Sequence, residues 1–294
     1  MDGILVIKKE KGLTSRDVVN QLSKKFNIKK MGHTGTLDPL ATGVLVVAIN
    51  EGCKIIELLT STYKEYIATV LIGNMSDTLD TTGKITEEKK VDHVSVKKLK
   101  EVISSFNKTY IQEVPKYSAV KVNGKRLYQY ARENIDVSLP KREVTVSNMN
   151  LVKEPYQIDG RWYFSFSCRV SKGTYIRSLI KDLGESYGLP FIMHELKRVK
   201  QGKFLIENAK TIKDVTLLDV INIYDVLSDE MEILKVNNQD ALHISNGMIM
   251  DKKFKSNMAL LVMNDNTPLA IYKEDLKDKK KMRPYKIFNI SKEK

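Results

Sequence analysis

The 294-residue sequence has no apolar stretch near the roughly 20 residues that a bilayer-spanning helix needs. The N-terminus enters Gly3–Ile7 directly and continues into Lys8 and Lys9 without a small-residue cleavage site, which favours a buried strand over a signal peptide. The two cysteines, Cys53 and Cys168, are far apart and lack metal-like spacing. We therefore expect a protein without a membrane span, located in the reducing cytoplasm.

The sequence also lacks the motifs of several enzyme classes. It contains no Walker A loop, no G-x-G-x-x-G fingerprint and no Ser-His-Asp motif, which argues against ATP-driven and dinucleotide chemistry. The four histidines are too widely spaced for a metal site: His33, His93, His194 and His243. We expect neither a metal nor a cofactor.

What the chain has in excess is positive charge. Lysine and arginine total 49 against 36 acidic residues, giving a net charge of +13 and a pI near 9.4. This excess favours a polyanionic partner, of which nucleic acid is the usual one, although a lysine-rich proteome would produce the same balance. With 42% hydrophobic residues, the chain can bury one large core, with or without a small companion domain.

The first quarter of the chain shows strand and helix signals around a glycine-rich segment. Ile4–Ile7 predicts a strand, and Thr14 and Asp17 stand at capping-box spacing before a helix with one apolar face. Residues 31–43 contain three glycines and a proline, so we expect a structured loop there. The apolar run Val44–Ile49 follows as a second strand.

Further along, helix and strand signals come in irregular order. Tyr66–Ile72 predicts a strand, Ser95 is a candidate helix cap, and Trp162–Val170 alternates in the manner of a half-buried strand. A helix should open at Gly173 and end at Gly184. This order favours an α+β fold over repeated βαβ units.

The pattern of apolar and turn-forming residues changes near residue 229. Short apolar runs are separated by turn signals: Asn237-Asn238, Asn246-Gly247 and Asn264-Asp265-Asn266. We therefore predict a large domain at 1–228, with a basic insertion around 111–142, and a small β-rich domain at 229–294.

The densest concentration of unusual residues is the loop Gly32–Gly43. Its glycines permit a close approach to a ligand, and Pro39 stiffens the backbone directly after Asp38. A carboxylate held in this way can act as a nucleophile or as a general base. The competing interpretation is an aspartate that only satisfies turn amides, which is the commoner role before proline.

Two further segments carry candidate binding groups. Ser171–Arg177 combines a predicted helix start, whose first amides could accept an anion, with an arginine that could pair with a carboxylate. Residues 116–132 mix cations with aromatic rings, as RNA-binding surfaces do, although a solvated helix packing through Leu127 would look the same. The members of this mixture are Lys121, Lys125, Arg126, Tyr128, Tyr130 and Arg132.

Together, and in this order, these segments resemble bacterial tRNA pseudouridine-55 synthases of the TruB family. The similarity covers most of residues 3–204. It rests on five matching segments, namely the loop Gly32–Gly43, Lys64-Glu65-Tyr66, the Ser118–Arg132 stretch, Ser171–Arg177, and Leu196-Lys197-Arg198 with Gly202 and Phe204. The resemblance implies a mixed, largely antiparallel pseudouridine-synthase sheet flanked by helices, followed by a small PUA-like domain.

The resemblance also implies roles for individual residues. Asp38 would be the nucleophile, Tyr66 would stack on the target uracil and Arg177 would orient Asp38. The other implied contacts with the substrate or the rest of the RNA fall on Lys9, His33, Lys64, Arg126, Arg132, Leu196 and Arg198. The sequence leaves open whether Asp38 attacks C1′, attacks the uracil ring or removes a sugar proton.

The implied partner is the T-arm of tRNA, from which the target base must be flipped out. We expect no obligatory protein partner and a monomer, since one active site contains all the groups needed. A non-catalytic RNA-binding protein or tRNA folding chaperone is the main alternative, and a synthase dependent on guide RNA is another.

The chain departs from the family pattern at two places. Where the family usually has Asp-Lys-Pro-x-Gly, this sequence has Lys8-Lys9-Glu10-Lys11-Gly12, so only Lys9 and the glycine are retained. Val170 precedes Ser171 where the family often has cysteine. We assign no catalytic role to Cys53 or Cys168.

Overall fold

The computed structural model describes residues 1–289, which form two main sheets with helices packed against them. The strands are β1 (Gly3–Lys9), β2 (Met31–His33), β3 (Thr42–Ile49), β4 (Lys64–Ile72), β5 (Asn74–Ser76), β6 (Ile85–Glu88), β7 (Thr109–Glu113), β8 (Lys121–Val122), β9 (Lys125–Arg126), β10 (Lys141–Ile158), β11 (Arg161–Val170), β12 (Phe191–Gln201), β13 (Phe204–Leu205), β14 (Ile221–Asn222), β15 (Glu232–Lys235), β16 (Met250–Asp251), β17 (Met258–Val262), β18 (Pro268–Glu274) and β19 (Lys281–Ile287). The α-helices are α1 (Ser15–Phe26), α2 (Ile56–Thr60), α3 (Val96–Ser105), α4 (Leu127–Arg132), α5 (Ile176–Tyr187), α6 (Ile223–Leu227) and α7 (Asn238–Ser245).

The large sheet has ten strands, eight of them in the order β14-β1-β3-β12-β4-β11-β10-β7. Its pairings are antiparallel except for β3 with β12, which is parallel. This mixed, largely antiparallel sheet confirms the predicted α+β class. Strand β12 comes late in the chain yet lies in the middle of the sheet, where it joins β3 to β4.

Both faces of the first strands are covered, which explains their unbroken apolar sequence. On β1, Leu5 and Ile7 point to one side and pack against α1, whose capping box of Thr14 and Asp17 is present as predicted. Ile4 and Val6 point to the other side, toward α6 and the second sheet.

The other half of the large sheet carries the remaining core. Phe164 and Phe166 of β11 are fully buried beneath α3 and α5, which contribute Leu99 and Leu179. Ser95 caps α3 as predicted, because its side chain accepts a hydrogen bond from the Lys98 amide. The same buried cluster contains Leu37, Tyr66 and Leu196, which border the candidate site.

The second sheet has five strands in the order β15-β17-β18-β19-β16 and agrees with the predicted β-rich, PUA-like unit. It has its own core around Tyr272, and it also shares a buried cluster with the large sheet, in which Val44 and Val46 meet Leu260 and Ile271. The proposed boundary between 228 and 229 falls between the end of α6 and the start of β15, and residues 290–294 of the predicted domain lie outside the described part.

Two local predictions are wrong. Helix α5 does not end at Gly184 but runs to Tyr187, where Gly188 adopts a left-handed φ of 88°. Gly184 is needed for packing instead, because a Cβ there would lie 2.7 Å from the Leu189 carbonyl oxygen. Residues 31–43 are also not all loop, since Met31–His33 pairs with the end of β3 as a short strand.

None of the helices in residues 1–289 is both long and apolar enough to cross a membrane.

Candidate active site

Asp38 lies in the loop between β2 and β3, and the backbone on both sides of it is held in place. The amide of Leu37 donates to Ser15 Oγ (2.8 Å), and the amide of Gly12 donates to the Pro39 carbonyl (2.8 Å). The carboxylate itself remains accessible, since the Asp38 side chain is 37% exposed. A rigid backbone therefore presents an accessible carboxylate.

Arg177 holds that carboxylate from one side. Its Nε lies 2.9 Å from Asp38 Oδ2, and its Nη2 lies 3.3 Å from Asp38 Oδ1. The guanidinium also donates to two backbone carbonyls, those of Thr78 (2.8 Å) and Tyr117 (3.0 Å). Because the arginine side chain is only 7% exposed, these acceptors fix its plane, and the plane fixes the direction of the carboxylate.

The first turn of α5 carries Arg177, but the helix starts later than predicted. It begins at Ile176, after Gly173 and Thr174, and the Tyr175 amide donates to the buried Gln112 Oε1 (2.8 Å). The predicted start at Gly173 is therefore wrong, and an anion contact of the first amides stays a prediction. The bond to Gln112, which lies on β7, anchors the helix start that positions the arginine.

The Thr78 carbonyl that accepts from Arg177 belongs to a polar turn at residues 77–83, between β5 and β6. Asp80, which is buried, holds this turn: its Oδ1 accepts from Thr78 Oγ1 (2.8 Å), the Thr82 amide (2.9 Å) and Thr82 Oγ1 (2.6 Å). Sequence reasoning missed Thr78, Asp80 and Tyr117. The clustering of small polar residues in this turn was the available signal for the first two.

Asp38 and Arg177 border a cavity of about 340 Å³, within the size range of small-ligand pockets. Its walls combine an apolar floor with several tyrosines. They are formed by Thr36, Leu37, Asp38, Tyr66, Tyr117, Ser118, Ala119, Tyr128, Thr174, Tyr175, Ile176, Arg177 and Leu196. The structure thus brings four sequence-predicted residues to one cavity, namely Asp38, Tyr66, Arg177 and Leu196.

Tyr66 and Leu196 reach the cavity from the centre of the large sheet. Tyr66, on β4, is 8% exposed and Leu196, on β12, is 7% exposed. The hydroxyl of Tyr66 accepts a long hydrogen bond from Arg198 Nη1 (3.5 Å). An aromatic ring and an aliphatic side chain on rigid strands give the cavity a firm apolar wall.

Three cations predicted to contact the RNA lie inside the protein instead. Lys9 and Arg198 are 0% and 1% exposed, and Lys64 is 8% exposed. Arg198 donates to the carbonyls of Val44 (2.7 Å) and Gly35 (3.1 Å), so it ties the loop that carries Asp38 to β3. Since their donors already serve backbone carbonyls, we infer an interior positioning role for these three residues in place of the predicted contacts with the substrate or the rest of the RNA.

The two buried lysines are similarly engaged. Lys9 Nζ donates to the carbonyls of Glu10 and Leu13, and Lys64 Nζ to those of Thr60 and Thr62. Burial lowers the pKa of Lys9 to about 8, although the charge of Asp38 acts in the opposite direction. Burial, assisted by the nearby positive charge of Arg198, also lowers the pKa of Lys64 to about 8.

His33 occupies the end of β2, opposite Val47 of β3, and leads into the loop that carries Asp38. Its ring is half-buried, and this burial, together with the positive charges of Arg16 and Arg198, lowers the pKa of the imidazole. His33 does not belong to the described cavity wall, so its predicted contact with the substrate or the RNA stays a prediction.

The basic insertion forms one side of the cavity. The hairpin of β8 and β9 leads into α4, where Leu127 is buried and Tyr128 faces the cavity. The guanidinium of Arg132 lies over the Tyr128 ring, 5.4 Å from its centroid. Arg126 and Arg132 are both exposed, as an RNA contact requires. Leu127 thus packs as the first alternative requires, and RNA contact by the exposed face of the same segment stays a prediction.

Within residues 1–289, no three His, Cys, Asp or Glu side chains come together in a way that could hold a metal ion. Both cysteines are free thiols, and burial raises the pKa of each.

Residues 23–176 match the family described as TruB family pseudouridylate synthase, N-terminal domain. The chain belongs to the TruB family. It is 37% identical to tRNA pseudouridine synthase B of Staphylococcus saprophyticus, over 98% of this chain and 99% of that protein. It is 38% identical to tRNA pseudouridine synthase B of Oceanobacillus iheyensis, over 99% of this chain and 98% of the relative.

Solved structures share the fold of this TruB family member. A chain from an H/ACA RNP bound to a substrate RNA containing 2'-deoxyuridine aligns with a TM-score of 0.69 at 21% identity, covering 98% of this chain and 85% of that one. A chain of a Cbf5-Nop10-Gar1 complex gives a TM-score of 0.67 at 23% identity, over 92% and 78% of the two chains. At this level of identity the likeness concerns the fold alone.

Proposed function

We propose that this chain is a tRNA pseudouridine synthase that isomerises the uridine at position 55 in the T-loop, with Asp38 as its nucleophile. The observation that carries the proposal is the accessible Asp38 carboxylate, paired with buried Arg177 at the edge of a cavity walled by Tyr66 and Leu196. Family membership and relatives named tRNA pseudouridine synthase B support the reaction and the tRNA substrate.

The reaction needs positioning more than it needs external reagents. It breaks the N1–C1′ bond of uridine, joins C5 to C1′, and transfers a proton away from C5 and onto N1. No electrons enter or leave, so the product is an isomer of the substrate. A nucleophile or base held in a fixed direction beside the ribose is the main requirement, and the paired Asp38 carboxylate meets it.

The cavity supports separate roles for its other groups. Tyr66 would stack on the uracil, and Leu196 would form an apolar part of the cavity wall beside the base. Arg177 would keep the carboxylate directed at the sugar while its own plane is held by the Thr78 and Tyr117 carbonyls. A cavity of about 340 Å³ admits a base only after it has left the helical stack, which costs a few kcal/mol.

The exposed cations of the insertion would supply the phosphate contacts around the cavity, with Arg126 and Arg132 on the T-arm backbone. We further propose that residues 1–228 form the catalytic domain and that 229–294 form a PUA-like RNA-binding domain. The chain would act in the cytoplasm as a monomer without an obligatory protein partner, because all the groups named above come from one chain.

The deciding experiment is tritium release from C5-labelled uridine in an unmodified tRNA transcript. Wild type should release tritium without any added cofactor, and Asp38→Asn should lower the rate by at least about 1000-fold, since it removes the reacting group. Asp92→Asn, which changes an exposed aspartate paired with Lys90, is the matched control and should keep wild-type activity.

Specificity for position 55 is tested in the same assay with a transcript that carries cytidine there and keeps its other labelled uridines. Release should disappear with this transcript. Tritium release by Asp38→Asn at the wild-type rate would exclude Asp38 as the nucleophile. Binding of tRNA by both proteins without release by either would favour the chaperone alternative.

A further inference from the structure

Ser15, the first residue of α1, touches the nucleophile loop although it lies outside the cavity. Its Oγ accepts from the Leu37 amide (2.8 Å) and lies 3.3 Å from the Leu37 carbonyl oxygen, to which it can donate. The side chain is 2% exposed. One hydroxyl thus engages both backbone polar groups of the residue that precedes Asp38.

The residue that follows Asp38 is held by the same N-terminal segment. The Gly12 amide donates to the Pro39 carbonyl (2.8 Å), and Lys9 Nζ lies 3.5 Å from that oxygen. Gly12 makes this possible with a left-handed φ of 93°. Here Glu10 stands where the family motif usually has proline, so these hydrogen bonds hold the turn that proline would otherwise stiffen.

We propose that Ser15 is a positioning residue for Asp38, acting through the backbone of Leu37. This inference rests on the proposed function and adds a residue to it. Arg177 holds the carboxylate end of Asp38, whereas Ser15 holds the main chain one residue earlier, so each constrains a different part of the nucleophile. Misplacement of a reacting group by about 1 Å can cost on the order of 100-fold in rate.

The test compares Ser15→Ala with Ser23→Ala in single-turnover pseudouridine formation at saturating enzyme. Ser23 lies on the same helix, and its hydroxyl donates to the Ile28 carbonyl (2.6 Å), so its variant removes a similar bond at a distance from the loop. Ser15→Ala should slow the chemical step by about 10- to 100-fold with unchanged affinity for tRNA. Ser23→Ala should keep the wild-type rate.

A second measurement needs neither activity nor a variant. In the wild-type protein, the Leu37 amide should exchange with solvent deuterium at least about 100-fold more slowly than an unprotected amide, because it donates to a buried hydroxyl. Fast exchange would overturn the proposal even if Ser15→Ala failed to fold. A folded Ser15→Ala that reacts within about twofold of wild type, or that is slowed only as much as Ser23→Ala, would also overturn it.

These outcomes separate the inference from the function on which it rests. A wild type that forms no pseudouridine contradicts the proposed function. In that case the exchange rate of the Leu37 amide still decides whether Ser15 holds the loop.

Discussion

At the scale of single residues, the geometry of the site depends on the hydrogen-bond acceptors that surround Arg177. Arg177 meets the Asp38 carboxylate with Nε and Nη2 and gives its remaining donors to the Thr78 and Tyr117 carbonyls. A lysine has no planar fork with which to reproduce this pattern. The direction of the carboxylate therefore depends on two backbone positions that are distant in sequence from both partners.

The burial of Lys64 can be tested through the pH dependence of the free energy of unfolding. Burial lowers the pKa of Lys64 from 10.5 to about 8, so between these values the unfolded chain binds more protons than the folded one. The free energy of unfolding of wild type should then rise relative to that of Lys64→Met as pH increases from about 8 to 10.5, by on the order of 3 kcal/mol. Urea denaturation at several pH values measures this difference.

The control for that experiment is Lys97→Met, which removes an exposed lysine of α3. Its difference from wild type should stay constant over the same range. Parallel pH dependences of wild type and Lys64→Met would show that the folded protein holds this lysine in a solvated environment.

The site residues could be identified from the sequence where motifs were dense, but their positions in the folded protein could not be predicted. The pairing of Asp38 with Arg177 follows from two short segments that carry recognisable motifs. Lys9, Lys64 and Arg198 were expected on the RNA because the resemblance to the family implied it, and full burial of lysine or arginine is rare. Their burial depends on carbonyls supplied by distant strands and loops, and a linear pattern does not contain that information.

At the scale of elements, the parallel contact between β3 and β12 depends on Gly43. Its φ of 105° is left-handed, and a Cβ there would overlap the Arg198 carbonyl oxygen, which is backbone and cannot move aside. Gly43→Ala should therefore lower the free energy of unfolding by more than about 2 kcal/mol. Urea denaturation provides the measurement.

Gly160→Ala is the control that separates the backbone strain of a left-handed φ from the steric overlap of an added Cβ. Gly160 has a φ of 74°, and nothing lies within 4 Å of a Cβ built there. This variant should cost only about 1 kcal/mol, the usual penalty for a left-handed conformation outside glycine. Equal destabilisation of the two variants would mean that the two strands tolerate separation at Gly43.

Elements with local signals were predicted well. The capping box at Thr14, the cap at Ser95 and the alternating strand 162–170 are all present, because each rests on neighbours within a few residues. Gly184 misled the prediction of a helix end, since its purpose is close packing against the returning chain. The pairing of Met31–His33 with β3 is likewise a tertiary contact without a periodic sequence pattern.

At the scale of the whole molecule, we propose that the net charge of +13 acts on the RNA mainly through the exposed cations beside the cavity, Arg126 and Arg132. Arg126→Gln/Arg132→Gln should weaken tRNA binding and reduce the steepness of its salt dependence, by about one unit of slope for each phosphate that the variant no longer neutralises. Fluorescence anisotropy with a labelled transcript at several salt concentrations measures both quantities.

The double variant Lys89→Gln/Lys90→Gln is the matched control, because it also removes two positive charges. These lysines are exposed and paired with Glu87 and Asp92, away from the cavity. Binding by this variant should keep the wild-type salt slope. If both double variants flatten the slope equally, the charge acts through the general field of the protein and not through the insertion.

The position of β12 has a consequence for synthesis on the ribosome. This strand joins β3 to β4 in the middle of the sheet, yet it ends at Gln201, more than two-thirds of the way along the chain. As the protein emerges N-terminus first, β2 can pair with the end of β3, but the inner edge of β4 and the start of β3 at Thr42 and Gly43 stay unpaired until β12 is made. The large sheet is completed late, so the nascent chain passes through a period in which β4 has an open edge and the active site is not assembled.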